Sequence, residues 1–169
     1  RDIPTFATSA GVDSTNLRQY VDKICKEREI KCRCIRCREV GFHSDKKIDL
    51  NKIKIEIEEY EASNGKEFFI EAAQDDILFG FARLRFPSQF LRAEITKNSA
   101  LIRELHVFSP AVQIGKKDED SFQHRGIGKN LLAKAEEIAK QNGKNKIVVI
   151  SGIGAREYFR KLKYEREGT

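Results

Sequence analysis

A glycine-containing loop in front of a helical pattern has the residue types best suited to chemistry. Residues 123–129 read Gln-His-Arg-Gly-Ile-Gly-Lys and run into apolar residues at helical spacing over residues 131–139. Gly126 and Gly128 carry no Cβ, so the backbone can turn tightly and bring its amides close to a phosphate. The free N–H groups and the dipole of the following helix favour negative charge, as do the arginine and lysine of the loop. The loop therefore predicts an anion site, with an ordinary glycine-bearing helix start as the alternative, and it matches neither a P-loop nor a dinucleotide-binding fingerprint.

Three closely spaced cysteines indicate a metal site. Cys32, Cys34 and Cys37 form a Cys-x-Cys-x-x-Cys pattern within a basic segment. Three thiolates on a turn can surround one tetrahedral ion, and neighbouring cations favour the thiolate form. Cys25 or His43 could supply a fourth ligand, as could water or a group outside the chain, and three reduced thiols are the alternative. The spacing differs from the Cys-x-x-x-Cys-x-x-Cys pattern of radical-type iron–sulfur sites.

The same segment is strongly basic and could lie along a phosphate backbone. Its cations are Lys31, Arg33, Arg36 and Arg38. Over the whole chain, 32 Lys and Arg against 26 Asp and Glu give a net charge of +6. This excess favours an anionic partner such as a nucleic acid or a polyphosphate cofactor, although a solvated basic surface is the alternative.

Length and composition limit the class of protein. A chain of 169 residues can bury one sizeable core, and we expect one domain plus an extension. No run of 18 apolar residues occurs, and the N-terminus lacks the order of a signal peptide, so we expect no membrane partner and a cytoplasmic location. The chain begins without methionine and ends just after a strand-like start at Tyr164, which suggests a fragment of a longer protein.

Hydrophobic periodicity predicts a helical extension followed by an α+β domain. The predicted order is a helix near 17–29, strands near 53–58, 68–70, 77–86 and 101–108, a helix over 125–141, a strand over 146–150 and a helix near 155–162. The first strands form an antiparallel meander, with a turn at Ser63-Asn64-Gly65-Lys66. We assign residues 1–50 to a linker helix and a basic Cys-rich loop, and residues 51–169 to a C-terminally truncated domain.

Several motifs resemble one family. The Q-x-x-G-x-G pattern at 123–128, between a strand and an amphipathic helix, resembles the pyrophosphate-binding signature of the GNAT acyltransferase superfamily. The stretches 102–107, 122–128, 149–154 and 156–162 resemble the acetyltransferase domain of the Elongator catalytic subunit. The N-terminal Arg-Asp-Ile-Pro and the Cys-rich segment resemble the linker and zinc-binding loop of its archaeal or bacterial form. The resemblance covers nearly the whole chain.

This resemblance implies a GNAT-like fold, with a mixed, mainly antiparallel sheet flanked by helices. It also implies an acyltransferase that uses acetyl-CoA to modify the wobble uridine of tRNA, and a zinc-binding loop that helps to hold the tRNA. A radical S-adenosylmethionine domain with an iron–sulfur cluster would lie outside this chain, which alone could not complete the modification. A protein or histone lysine acetyltransferase and a tRNA-binding regulatory module without turnover are the alternatives. The oligomeric state is left open.

The family residues carry over to named positions. Acetyl-CoA would be held by Glu104, Leu105, His106 and Val107, by Gln123, His124, Arg125, Gly126, Ile127, Gly128, Lys129 and Asn130, and by Tyr158 and Phe159. Glu104 could activate a water or polarise the thioester, and His106 could be an acid or base, although an ion pair or a sheet hydrogen bond could explain either. Phe159 stands where many GNAT enzymes have a tyrosine that contacts the thioester sulfur, so Tyr158 is the remaining phenol and the third catalytic candidate. Lys163 replaces a glycine that often ends this helix.

Overall fold

The computed structural model describes residues 16–43, 48–108 and 126–168. These residues form two compact units that divide between Cys34 and Ile35. The predicted N-terminal connector and the predicted site residues Gln123, His124 and Arg125 lie outside the described residues. The predicted domain boundary at 50/51 stays a prediction.

The first unit contains helix α1, Leu17–Glu27. Its apolar residues recur at helical spacing, as predicted, but no residue of α1 is buried, and Tyr20 is 63% exposed. An ion pair between Arg18 and Asp22, one turn apart at 2.9 Å, supports the helix. Exposed pairs of this kind contribute only about 0.3–0.5 kcal/mol.

The second unit is built on a five-stranded sheet in the order β1-β2-β3-β4-β5. The strands are β1 Lys54–Ala62, β2 Gly65–Gln74, β3 Ile77–Phe86, β4 Ser99–Val107 and β5 Lys146–Val149. The first four pair antiparallel in sequence order, and β5 pairs parallel with β4. The turn after β1 consists of Ser63 and Asn64, whereas Gly65 and Lys66 of the predicted turn already belong to β2. The mixed, mainly antiparallel sheet confirms the predicted α+β class.

The described residues of this unit include three α-helices: α2 Ile35–Arg38, α3 Ile127–Gln141 and α4 Arg156–Lys161. The apolar stripe of α3 is buried against the sheet, with Leu131 and Leu132 at 0% and 2% exposure. Burial of a leucine side chain stabilises the fold by about 1.5–3 kcal/mol. The stripe packs with apolar residues of the strands, among them Phe68, Ile70, Ala82, Leu84 and Ile102. No helix in the described part of the chain is long and apolar enough to cross a membrane.

Candidate functional site

The strands β4 and β5 separate after a short parallel pairing. Their register runs only from Ser99 opposite Lys146 to Ile102 opposite Val149, where β5 ends. β4 continues to Val107. Along residues 103–107, which we call the open edge of β4, no described strand covers the side that β5 has left. The backbone N–H and C=O groups on that side can bind an extended ligand, as an added strand would. The predicted residues 104–107 all lie on this edge.

Helix α3 begins close to the end of the open edge. Gly126 precedes the helix with a φ of 79°, in the left-handed region that favours glycine. A Cβ at Gly128 would lie 2.7 Å from the hydroxyl oxygen of Tyr158 and 3.3 Å from Cγ2 of Val107. Close approach, rather than a left-handed backbone, therefore requires glycine at position 128. Three elements meet here: the end of β4, the start of α3 and the face of α4 that carries Tyr158.

The start of α3 offers backbone donors. The first N–H groups of a helix have no acceptor within it, and among the described residues no side chain caps this end. The positive end of the helix dipole adds to the attraction for an anion. Lys129 and Asn130, in the first turn, are exposed. The helix start can therefore bind a phosphate beside the hydroxyl of Tyr158.

The structure revises the expected role of Phe159. Its side chain is 9% exposed in the hydrophobic core, with its ring centroid 5.7 Å from that of Tyr164. The phenol at the start of α3 is that of Tyr158, which is 39% exposed. Burial raises the pKa of the Tyr158 hydroxyl, so it keeps its proton at neutral pH. We therefore remove Phe159 from the proposed cofactor contacts. Because its side chain lies in the core, the site keeps its proton donor, Tyr158, even though Phe159 has no hydroxyl.

Two polar side chains of the open edge lie next to each other. Nε2 of His106 is 3.7 Å from Oε2 of Glu104, and the His106 ring stacks on Phe81 with centroids 5.0 Å apart. The other carboxylate oxygen of Glu104 accepts a hydrogen bond of 2.9 Å from Arg83. Both side chains reach solvent, with 54% of His106 and 35% of Glu104 exposed. An imidazole and a carboxylate are thus available together where the edge is open.

A buried carboxylate that sequence analysis missed lies behind this pair. Glu67 is 0% exposed and accepts hydrogen bonds from Arg83 and Arg85, each 2.8 Å, from Tyr60 at 2.9 Å, and from Arg103. Burial alone would raise the pKa of Glu67, but the bonds from Arg85, Arg83, Tyr60 and Arg103 outweigh it and lower the pKa to about 2. The one available sequence signal was the run of arginines on alternate positions of β3, which predicts a polar sheet face but not its partner.

The cysteine segment forms a cluster that could hold a metal ion. The sulfur atoms of Cys32, Cys34 and Cys37 lie within 4.8 Å of one another, and all three side chains are half-buried. Within the described residues, this group of possible ligands has only these three members. Nε2 of His43 lies 2.9 Å from the carbonyl oxygen of Cys37, a contact with the backbone rather than with the sulfur atoms. The Arg18 guanidinium donates a 3.5 Å hydrogen bond to Cys34 Sγ.

The basic segment does not expose all four of its predicted phosphate-binding cations. Lys31, Arg33 and Arg36 are exposed. Arg38 is only 8% exposed and donates two hydrogen bonds of 2.7 Å to Glu71 on β2. Because its guanidinium is buried and bonded to Glu71, we do not expect Arg38 to contact phosphates.

Residues 33–164 match the Acetyltransferase (GNAT) family, and the chain belongs to that family. The predicted fold is therefore confirmed.

The chain is also similar to proteins of one particular kind. It is 49% identical over 176 residues to the tRNA uridine(34) acetyltransferase of Methanocaldococcus jannaschii, covering 100% of this chain and 32% of that protein. It is 39% identical over 173 residues to Elongator complex protein 3 of Homo sapiens, covering 99% and 32%. The solved structure of the archaeal Methanocaldococcus infernus Elp3 with an N-terminal deletion is 44% identical, with a TM-score of 0.82, covering 99% of this chain and 41% of that one. The predicted resemblance is confirmed, and the chain spans about a third of the length of these curated relatives.

Proposed function

We propose that this chain is the acetyl-CoA-binding domain of an acyltransferase that modifies uridine in tRNA. The observation that carries the proposal is the convergence of Gly128, Tyr158 and Val107, where a helix start meets an open strand edge. The family indicates that the reaction is an acetyl transfer, and the names of the relatives indicate that the substrate is tRNA. Acetyl-CoA would provide an acetyl group activated as a thioester.

The residues of the site fit such a ligand. The backbone of residues 104–107 would bind its extended amide-containing arm in the manner of an added strand. The amides of Ile127, Gly128 and Lys129 would bind its pyrophosphate, because they are donors without helical acceptors at the positive end of the dipole. Gln123, His124 and Arg125 belong to the same proposal on sequence alone. The approach of Tyr158 to Gly128 leaves no space for a side chain at this position.

The site has a group that could donate a proton and a group that could accept one, as acyl transfer requires. Tyr158 holds a proton on its hydroxyl oxygen, since burial raises its pKa, and could give that proton to a thiolate. Glu104 lies beside Nε2 of His106 and favours a proton on that nitrogen, which leaves Nδ1 to accept a proton from water or from another nucleophile. Donor and acceptor lie on different elements, α4 and β4, at the same open edge.

The cysteine cluster is proposed to bind zinc. Three thiolates with sulfur atoms this close can occupy three corners of a tetrahedral site with Zn–S distances of about 2.3 Å. A zinc ion would order the chain around Lys31, Arg33 and Arg36, the exposed cations that we propose contact tRNA phosphates. The radical S-adenosylmethionine partner domain, its iron–sulfur cluster and the cytoplasmic location stay predictions.

Calorimetric titration with acetyl-CoA, with and without tRNA, tests this proposal. Gly128→Glu should weaken acetyl-CoA binding by more than tenfold, or about 1.4 kcal/mol, because its side chain meets Tyr158 and its charge repels phosphate. Gln141→Glu adds the same charge at the far end of α3 and should bind as the parent does. Circular dichroism checks the fold of each variant, and Gly128→Ala tests the steric part alone.

The outcomes separate the alternatives. Equal binding by Gly128→Glu and the parent would show that the start of α3 is not the phosphate site. A parent that binds tRNA but not acetyl-CoA would be an RNA-binding module without turnover. Acetyl transfer to a lysine peptide that needs no tRNA would favour a protein lysine acetyltransferase.

A further inference from the structure

Arg83 connects two carboxylates in different environments. Its Nη2 donates a 2.8 Å hydrogen bond to Glu67, whose side chain is fully buried. Its Nη1 donates a 2.9 Å hydrogen bond to Glu104, whose side chain is 35% exposed on the open edge of β4. A single planar guanidinium therefore extends from the interior of the sheet to the candidate site.

The buried end of this connection is held from several directions. Glu67 also accepts hydrogen bonds from Tyr60, Arg85 and Arg103. Arg85 is fixed in turn by a 3.1 Å hydrogen bond to the carbonyl oxygen of Ser63. Charge-assisted hydrogen bonds in a buried site are strong and directional, so Glu67 has little freedom to move. Arg83, bound to it, shares that restriction.

The strand register places Arg83 opposite Glu104. The two residues are partners in the β3–β4 ladder, and the register shifts immediately afterwards, so that Leu84 pairs with Ile102. Arg103 is the extra residue of this bulge. A bulge bends its strand and redirects side chains, and here it occurs where β4 leaves β5. The Arg83–Glu104 pair therefore lies next to the position where β4 separates from β5.

We propose that Arg83 is a positioning residue for the Glu104–His106 pair, with Glu67 as its anchor. Arg83 fixes Oε1 of Glu104, which leaves Oε2 directed at Nε2 of His106. The carboxylate can then orient the imidazole, or a water between them, without rotating away. The imidazole lies beside the carboxylate of Glu104 on β4, and Arg83 on β3 lies behind that carboxylate. The catalytic part of the proposal rests on the proposed function, whereas the charge coupling does not.

The test compares Arg83→Gln with Arg85→Gln. Each variant removes one guanidinium from Glu67, but only Arg83 contacts Glu104. The His106 ring is titrated by NMR and its signal is assigned with His106→Gln, since the chain has three histidines. In Arg83→Gln the titration midpoint should differ from that of the parent, because Arg83 then no longer holds the carboxylate of Glu104. In Arg85→Gln the midpoint should stay at the parent value.

Kinetics provide the second measurement. With acetyl-CoA as the substrate, Arg83→Gln should lower kcat at least tenfold and leave KM within twofold, because it changes orientation rather than binding. If Arg83→Gln does not fold by circular dichroism, Arg83→Lys replaces it, since lysine keeps the charge but cannot bridge both carboxylates in the fork geometry. That variant should lower kcat with a smaller change in the His106 titration.

Two results would overturn the proposal: a His106 titration in the Arg83 variants equal to that of the parent, or an equal movement in the Arg83 and Arg85 variants. If the titration moves as expected and the parent neither binds nor turns over acetyl-CoA, the proposed function fails while the coupling of Arg83 to the pair stands. If the parent turns over acetyl-CoA and Arg83→Gln does so at the parent rate, Arg83 does not position the pair for the reaction.

Discussion

Replacing Glu67 by glutamine should destabilise the domain by about 3 kcal/mol at neutral pH. Glutamine keeps the shape of the side chain but removes its charge, which leaves the guanidinium groups of Arg83, Arg85 and Arg103 close together. Removing one partner of a buried ion pair costs about 3–5 kcal/mol. The lower end applies here because the Arg103 side chain is 39% exposed and can turn towards water.

The pKa of Glu67 leads to a similar magnitude. It is lowered from an ordinary value of 4.5 to about 2, and each pH unit corresponds to about 1.4 kcal/mol, so ionisation contributes about 3 kcal/mol. Because the folded pKa lies below the unfolded one, this contribution is fully present above pH 4.5. It is lost as the pH falls through 2. The stability difference between the parent and Glu67→Gln should therefore narrow from pH 5 to pH 2.

Urea unfolding followed by circular dichroism at pH 7 and at pH 3 measures both effects. The control is Glu59→Gln, which removes the same charge from a surface pair with Lys66 whose carboxylate side chain is 51% exposed. That variant should stay within about 0.5 kcal/mol of the parent at both pH values. A Glu67→Gln variant as stable as the parent at pH 7, or with the same loss of stability at both pH values, would show that the Glu67 charge does not stabilise the domain in this way.

Three further changes have defined outcomes. Arg38→Met should destabilise the domain by about 3 kcal/mol in urea unfolding, because it leaves the buried charge of Glu71 unpaired. Adding Glu71→Met removes that charge and should recover most of the lost stability. A double variant whose loss equals the sum of the two single losses would contradict this. Protein purified without chelator should contain near-stoichiometric zinc by metal analysis and lose it in Cys34→Ser, whereas a zinc-free parent unaffected by that change would exclude the metal site. The affinity for tRNA should fall steeply with salt, and Arg36→Glu should flatten the slope measured by fluorescence anisotropy. An unchanged slope would place the RNA surface elsewhere.

The secondary structure that could be predicted depends on residues that are close together in the sequence. Alternation around Ile55 and Ile57 predicted β1, the Ser63-Asn64 turn predicted its hairpin with β2, and the apolar spacing of residues 131–139 predicted α3. These signals need no knowledge of distant contacts. The mixed sheet and the family followed from the order of the elements and from the motifs.

The charged contacts could not be predicted in the same way, because they depend on register. Glu67 follows Lys66 in the sequence and would be expected in solvent, yet the β2–β3 pairing encloses it between arginines. Arg38 belongs to a basic run, yet its partner Glu71 is 33 residues away. Shifts in the ladders after Ala72 and Arg83 decide which side chains meet. No local pattern specifies such shifts.

The assignment of the phenol depended on the rotation of one helix. Adjacent residues of a helix point about 100° apart, so a family motif that contains neighbouring aromatic residues does not show which one reaches the site. In α4, Phe159 enters the core and Tyr158 reaches Gly128. Packing of the helix against the sheet makes this choice.

The open edge of β4 leaves backbone groups unpaired on one side of a strand that lies between two others in the sheet. Unpaired edges are templates for pairing with other chains, and proteins usually protect them by keeping them short, bent or charged. This edge covers only residues 103–107, follows a bulge, and carries Arg103 and Glu104. The backbone groups that suit an extended ligand are also those through which two copies could aggregate. A bound ligand would therefore protect the domain from self-association by occupying the same hydrogen bonds.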